Sequence, residues 1–359
     1  MHITNFSEIQ DIETHYILSR NRSGSTLLNN LLNNHPDILS ISELNIYWLL
    51  KCDYEKVNRF DTITVKKLID DLFFVLGKRR DGFYIFMLPS KVELIEAILN
   101  YKNPLDFLII CRIINSKIKA TFNEKTQITT LVHKEISLNH LIDKIHHHSP
   151  KTKFVLLVRN HRANIYSSLK FNSARKNYIY EAKRWTLDLK PLIKSNIPQD
   201  LKLIIKYEDL ILDTASCLEK IQLFLGVKIL ENLSSTPLAI TTKLLDELAK
   251  KNNVPEKEVK LFKKHHFNSF LEVDKEKINE WEQQSSFNEL QLTKIDSICQ
   301  EVATCLGYPC SNKKVSFSFV DKYFIILAVI DNYVATRYIS IPIRYKRILA
   351  SINYFKFFN

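Results

Sequence analysis

Apolar positions along the chain fall into short compact runs that alternate with stretches of helical spacing. "THYILS" (14–19) is a short apolar run that ends at the cationic "RNRSG" (20–24), and "STLLNNLLNN" then places Leu27, Leu28, Leu31 and Leu32 on one helical face. Strand, loop and helix are predicted in that order. "HPD" (35–37) stops the helix because proline cannot continue it, and "ILSI" (38–41) delivers Glu43 at its end. Residues 65 to 100 suggest helices broken around "RRDGF" and "LPS", where turn residues cluster. "ITTLV" (128–132) is β-branched and runs into His133 and Lys134, and a helix follows as far as "HHHSP". "KFVLLV" (153–158) is a continuous apolar run suited to a parallel sheet covered on both faces. Arg159, Asn160, His161 and Arg162 come next, then the helix "ANIYSSLKF". The pattern returns with "LKLIIKY" (201–207) and a single predicted helix, "EDLILDTASCLEKIQLFLG", closed by Gly226.

Strands alternating with helices at these lengths predict an α/β fold: a P-loop-like parallel β-sheet with helices on both faces and a helical C-terminal extension. Ligands of such sheets bind beyond the carboxyl ends of the strands, where most of the polar residues just named lie. The expected organisation is one domain over residues 1–312, followed by a basic, aromatic-rich segment over 313–359.

Charge narrows the partners. The 359 residues carry a net charge of +12. That favours an anionic partner (nucleic acid, nucleotide, sulfated or phosphorylated substrate, or an acidic membrane face), although a lysine-rich solvated surface has the same composition. Six cysteines occur without a CxxC pair or matching histidine spacing, which argues against a zinc site or a disulfide framework and for a reducing compartment. The N-terminal "MHITNFSEIQDIETH" is polar and acidic, unlike a secretory leader, and no run reaches the roughly 18 apolar residues of a spanning helix. A cytoplasmic protein is expected.

The chain has only five glycines, and one of them, Gly24, sits between two serines immediately ahead of a helix. A strand that turns into a helix through such a loop aims backbone N–H groups and the positive helix end at one spot, which suits phosphate oxygens. Gly24 would allow close backbone approach, Ser23, Ser25 and Thr26 offer hydroxyls, and Arg22 offers a charged fork. An ordinary serine-capped helix after a turn fits the same letters. Nucleoside-triphosphatase loops place lysine after the last glycine, where this chain has Ser25, so the alternative of a P-loop nucleotide kinase is disfavoured. A nucleic-acid-binding module is the weaker alternative, for want of a basic-aromatic motif.

Several segments in order resemble the sulfotransferases that use 3'-phosphoadenosine-5'-phosphosulfate (PAPS). "RSGSTLLNNLLNNHPDILSISE" resembles their 5'-phosphosulfate loop with the acidic position that follows it. "KFVLLVRNHRANIYSSLK" resembles their 3'-phosphate strand, loop and helix, "IIKYEDLILD" their Tyr-Glu-Asp-Leu segment, and "INEWEQQSSFNELQLTKIDSICQEVATCLGY" their closing helix. The likeness spans about residues 14 to 309 and is nearest in form to the tyrosylprotein and carbohydrate branches. It implies transfer of a sulfuryl group from PAPS to an acceptor hydroxyl, leaving adenosine 3',5'-bisphosphate. The acceptor class stays open among glycan, lipid or sterol, tyrosine and small metabolite.

The resemblance also implies roles. Glu43, 21 positions beyond Arg22, falls in the register of the general base; Arg159 and Ser167, eight positions apart, fall on the 3'-phosphate ligands. Lys134 falls near the transferring group, Tyr207 near the adenosine, and Arg22 to Thr26 around the 5'-phosphosulfate. No metal is required. The Arg-Lys-Gly segment of the cytosolic branch is absent, and Asn268, Ser269 or Lys277 could stand in for it. Plainer roles remain open: a surface acid for Glu43, a solvated lysine for Lys134, a helix-interior serine for Ser167, and either ligation or exposure for His161. His146, His147 and His148 cannot all face one ion from a regular helix and are expected at a helix C-terminus. The segment from residue 313 suits packing on the core or on a second subunit, with an anionic membrane surface as the alternative.

Overall fold

In a computed structural model, the described residues are 12–77, 88–117, 128–170, 175–231, 275–283 and 287–351, with single positions at 233, 250, 256 and 260. The "RRDGF" break, Asn268 and Ser269 lie outside them. Five strands, β1 (Glu13–Ser19), β2 (Ile38–Ser42), β3 (Thr130–Glu135), β4 (Phe154–Val158) and β5 (Lys202–Lys206), form one sheet in the order β2-β3-β1-β4-β5. Every pairing is parallel, with Leu18 opposite both Glu135 and Leu156 and Ser42 opposite Lys134. All five carboxyl ends therefore share one edge.

Alternation along the strands explains the layers. Tyr16, Leu18, Leu156 and Val158 face one core, which they share with α2 (Ile46–Tyr54), α3 (Thr62–Gly77), α4 (Lys91–Leu99), α5 (Phe107–Lys117), α6 (Ile142–His148) and α8 (Tyr178–Ile193). Ile17, Val155 and Leu157 face a second core with α1 (Ser25–Leu32), α9 (Tyr207–Leu212) and α10 (Thr214–Leu225). Strands buried on both faces need continuous apolar runs, which is why "FVLLV" contains no polar residue. Between β4 and α8 lies α7 (His161–Lys170), and α11 (Glu289–Cys305) packs against α7 and α8.

The predicted single helix after β5 is two. Asp213 leaves helical geometry at φ −139° and accepts a hydrogen bond from the Ser216 N–H, capping α10 after α9 has ended. Aspartate competes for its own backbone in this way, so "LDTAS" is a restart signal. Gly226 closes α10 at φ +81°, as expected. His146, His147 and His148 occupy the last turn of α6, and the His148 ring stacks on Tyr47 at 4.9 Å.

The chain beyond residue 313 forms α12 (Phe319–Ile339) and α13 (Ile343–Ser351). Asp331, which interrupts the apolar run, accepts from Tyr180 at 2.9 Å and pairs with Arg175 at 3.5 Å. Asp321 pairs with Lys294 at 2.6 Å. Lys346 is buried and donates to the carbonyls of Leu49 and Ile339, while Arg347 reaches Asp71 at 2.8 Å. The inner side of this segment thus packs on the core. No helix among the described residues is long and apolar enough to cross a membrane.

Burial of His133, stacked on Tyr16, lowers its pKa to about 4. The fold therefore favours the neutral ring. Its contribution, about 3 kcal/mol, is complete above pH ~6.5 and is lost as the pH falls through the folded value. His133→Phe keeps the stacking and removes the titration. In urea titrations the variant should lose about 3 kcal/mol less stability than the parent between pH 7 and pH 4, and equal losses would contradict this.

Candidate active site

Each strand tip supplies one element of the site. Beyond β1 the backbone takes an unusual path: Arg22 has φ +67° and Gly24 φ +86°. Gly24 stands at the N-cap of α1 and no side chain caps that helix, so the serine-cap alternative does not hold and the first-turn N–H groups remain with the loop. Glycine is required here for a reason the letters did not reveal. A Cβ at Gly24 would overlap Cδ2 of Tyr207, so the close approach is to the tyrosine ring at the tip of β5.

Tyr207 in turn carries Arg159, whose guanidinium carbon sits 4.3 Å from the ring centroid. Arg159, at the tip of β4, donates to the Arg22 carbonyl at 3.1 Å and to the Lys277 carbonyl at 2.9 Å. Its Nε is buried with no hydrogen-bond partner among the described residues. Trp185 Nε1 fixes the backbone by donating to the Arg159 carbonyl at 3.3 Å. Ser167, in the second turn of α7, accepts from Arg22 Nε at 3.2 Å. Desolvation and the like charge of Arg159 lower the pKa of Arg22, though a guanidinium stays cationic. An anion between the two would relieve that repulsion.

At the tips of β2 and β3, Lys134 and Glu43 form a close ion pair, and the Glu43 N–H extends the ladder by donating to the Lys134 carbonyl at 2.7 Å. Glu43 is held at φ +52°, a sparsely populated conformation for a side-chain-bearing residue. Lys134 is buried and Glu43 mostly so, which distinguishes both from solvated surface charges.

The structure brings Arg22, Ser23, Gly24, Arg159, Ser167 and Tyr207 into one cluster, with Ser25 and Thr26 opening α1 beside it. Glu43 and Lys134 lie on the same edge, just beyond β2 and on β3, the strand next to β1. His161 takes neither expected role: it is fully buried in α7 and bonds Asp296 at 2.8 Å. Arg162 also grips Asp296, through Nε at 2.9 Å and through its terminal nitrogen, and the Ser311 N–H donates to the same carboxylate. Cys310 completes a group that could in principle hold a metal ion, but these donors already occupy the Asp296 oxygens. The burial of Asp296, which alone would raise its pKa, is outweighed by His161 and Arg162, which bring it to about 2.

Sequence reasoning missed the residues behind the loop. Arg20 is buried and reaches Asn164 at 2.8 Å, Asp188 at 3.1 Å and Glu181 in a short ion pair. Asn164 passes the constraint on, donating to the Asn21 carbonyl at 2.9 Å and to Ser23 Oγ at 3.2 Å. Asn139 donates to the carbonyls of Ser19 and Asp188, both at 3.0 Å. Glu208, next to Tyr207, accepts from the Asn160 N–H at 2.9 Å and from the Tyr308 hydroxyl at 2.8 Å. Arg20 was visible as the first cation of "RNR", but nothing local separated a buried arginine from a ligand.

Parallel strands with their cationic loops on one edge, and no Walker lysine, define a group-transfer site for an anionic donor. The family model described as the sulfotransferase domain matches residues 14–307, and the chain belongs to that family; it is an enzyme of the sulfotransferase type. Among solved structures, the sulfotransferase domain from the Synechococcus PCC 7002 olefin synthase aligns with a TM-score of 0.52 at 20% identity, over 82% of this chain and 95% of that one. The sulfotransferase domain from the curacin biosynthetic pathway aligns with a TM-score of 0.53 at 18% identity, over 84% of this chain and 99% of that one. At these identities the likeness is one of fold. No curated protein matches the chain.

Gly24→Ala should add about 1–2 kcal/mol of backbone strain and also displace Tyr207. A urea midpoint lowered by that amount or more is expected, and an unchanged midpoint would show that the loop tolerates a Cβ.

Proposed function

We propose that this sulfotransferase takes PAPS as its donor, with the loop from Arg22 to Thr26 around the 5'-phosphosulfate and Arg159 with Ser167 around the 3'-phosphate. Support comes from the contact of the two cationic loops, Arg159 donating to the Arg22 carbonyl at 3.1 Å, since one nucleotide with two anionic ends needs two such loops at one bond's remove. The residues fit the group. The buried Arg159 Nε still lacks a partner among the described residues, the mutual repulsion of Arg22 and Arg159 calls for an anion, and Tyr207 presents a ring beside them for the adenosine. Lys277 enters through its carbonyl, which orients Arg159.

Bound PAPS would supply the sulfuryl group and leave as adenosine 3',5'-bisphosphate. The chain's own residues then have three tasks. The loop N–H groups and Arg22 hold the donor in line. Lys134 and Arg22 face the charge that builds as the bond to the leaving group breaks. Glu43 takes the proton of the acceptor hydroxyl, and its ion pair with Lys134 holds the carboxylate at the tip of β2. The acceptor is a hydroxyl-bearing molecule.

Glu43→Gln keeps the shape and removes the base. With radiolabelled PAPS and a panel of acceptor extracts, the parent should label an acceptor and the variant should turn over about 10²- to 10⁴-fold more slowly. Near-full turnover in the variant would remove Glu43 from this role.

A further inference from the structure

The outer side of α12 carries a row of large apolar side chains. Phe319, Tyr323, Ile326, Ile330 and Tyr333 recur at spacings of four, three, four and three, which aligns them on one face. Each is more than half exposed, from 52% at Ile330 to 88% at Phe319. The opposite face buries Asp321, Ala328, Asp331 and Ile339. A helix that is apolar on both sides is ordinarily covered on both, and this one is covered on one. The row runs about 21 Å, and Lys322 and Arg337 are exposed near its two ends. Single exposed apolar residues need no explanation, but a contiguous row does.

Charge indicates what covers it. Between residues 313 and 351 the carboxylates are Asp321 and Asp331 alone, and both turn inward to Lys294 and to Tyr180 with Arg175. The exposed ionic groups on α12 and α13 are therefore cations, among them Lys322, Arg337 and Arg344. Two copies of such a face pressed together would oppose cation to cation with no acid to offset them. A bilayer surface bearing anionic headgroups offers the opposite charge and an apolar layer beneath it.

We propose that the outer face of α12 is a peripheral docking surface for an anionic lipid bilayer, with the aromatic and aliphatic row entering the interfacial layer and Lys322 and Arg337 meeting the headgroups. The inference is independent of the donor assignment. It is tested by flotation of the full chain with vesicles of phosphatidylcholine alone and of equal parts phosphatidylcholine and phosphatidylglycerol. Binding is expected to the anionic vesicles, weakened by salt, and reduced at least about tenfold in both Ile326→Ser/Ile330→Ser and Lys322→Glu/Arg337→Glu. These positions are exposed, so circular dichroism and the melting temperature should match the parent and keep the comparison valid. Three results would each overturn the proposal: no flotation with anionic vesicles, equal flotation with both lipids, or a sedimentation dimer that Ile326→Ser/Ile330→Ser dissolves, which would assign the face to a second copy.

Discussion

The site depends on one buried guanidinium. Arg20 directly follows β1 and joins Asn164 of α7 to Glu181 and Asp188 of α8, so the start of the loop cannot shift without moving two helices. Buried ion pairs contribute little net stability, because desolvation offsets the attraction, but removing one partner costs about 3–5 kcal/mol. That asymmetry suits a residue whose task is to impose a conformation. Arg22 and Gly24 are held at positive φ, and Asn164 secures Ser23 from behind. A loop fixed before its ligand arrives loses less entropy on binding.

From the same constraint follows the division of labour across the sheet. With β1 central and all strands parallel, the tips of β3 and β4 flank the loop, and those of β2 and β5 lie one strand further out. On one side, β2 and β3 carry Glu43 with Lys134, a carboxylate and a cation able to act on a proton and a developing charge. On the other side, β4 and β5 carry Arg159 on Tyr207, a cation on a ring, which suits a nucleotide's phosphate and base. Gly24 couples the halves, because its missing side chain is what lets the Tyr207 ring reach the loop.

Much of this was legible in the letters because the chemistry sits immediately after apolar runs. "THYILS", "ILSI", "ITTLV", "KFVLLV" and "LKLIIKY" all mark strands, and the polar residue after each is at the shared edge. Matching register set Ser167 with Arg159; the hydrogen bond that Ser167 accepts comes from Arg22, 145 residues away. What could not be read was orientation. His161 and Arg162 belong to a cationic run that looks like ligand, yet they turn toward Asp296, 135 and 134 residues away, and clamp α11. Arg20 and Arg22 are two residues apart in one loop, one buried and one facing the site. Asp213 divides a helix that apolar spacing alone carries straight through. The inward turn of Asp321 and Asp331, which leaves α12 apolar and cationic outside, likewise needs the partners Lys294 and Tyr180 to be seen.

The most direct test is a crystal structure of the protein with adenosine 3',5'-bisphosphate. The 5'-phosphate should lie against the backbone N–H groups of residues 23–26, the 3'-phosphate against Arg159 and Ser167, and the adenine beside Tyr207. The nucleotide bound elsewhere, or Arg159 still turned to the Arg22 and Lys277 carbonyls with no phosphate near it, would contradict the account.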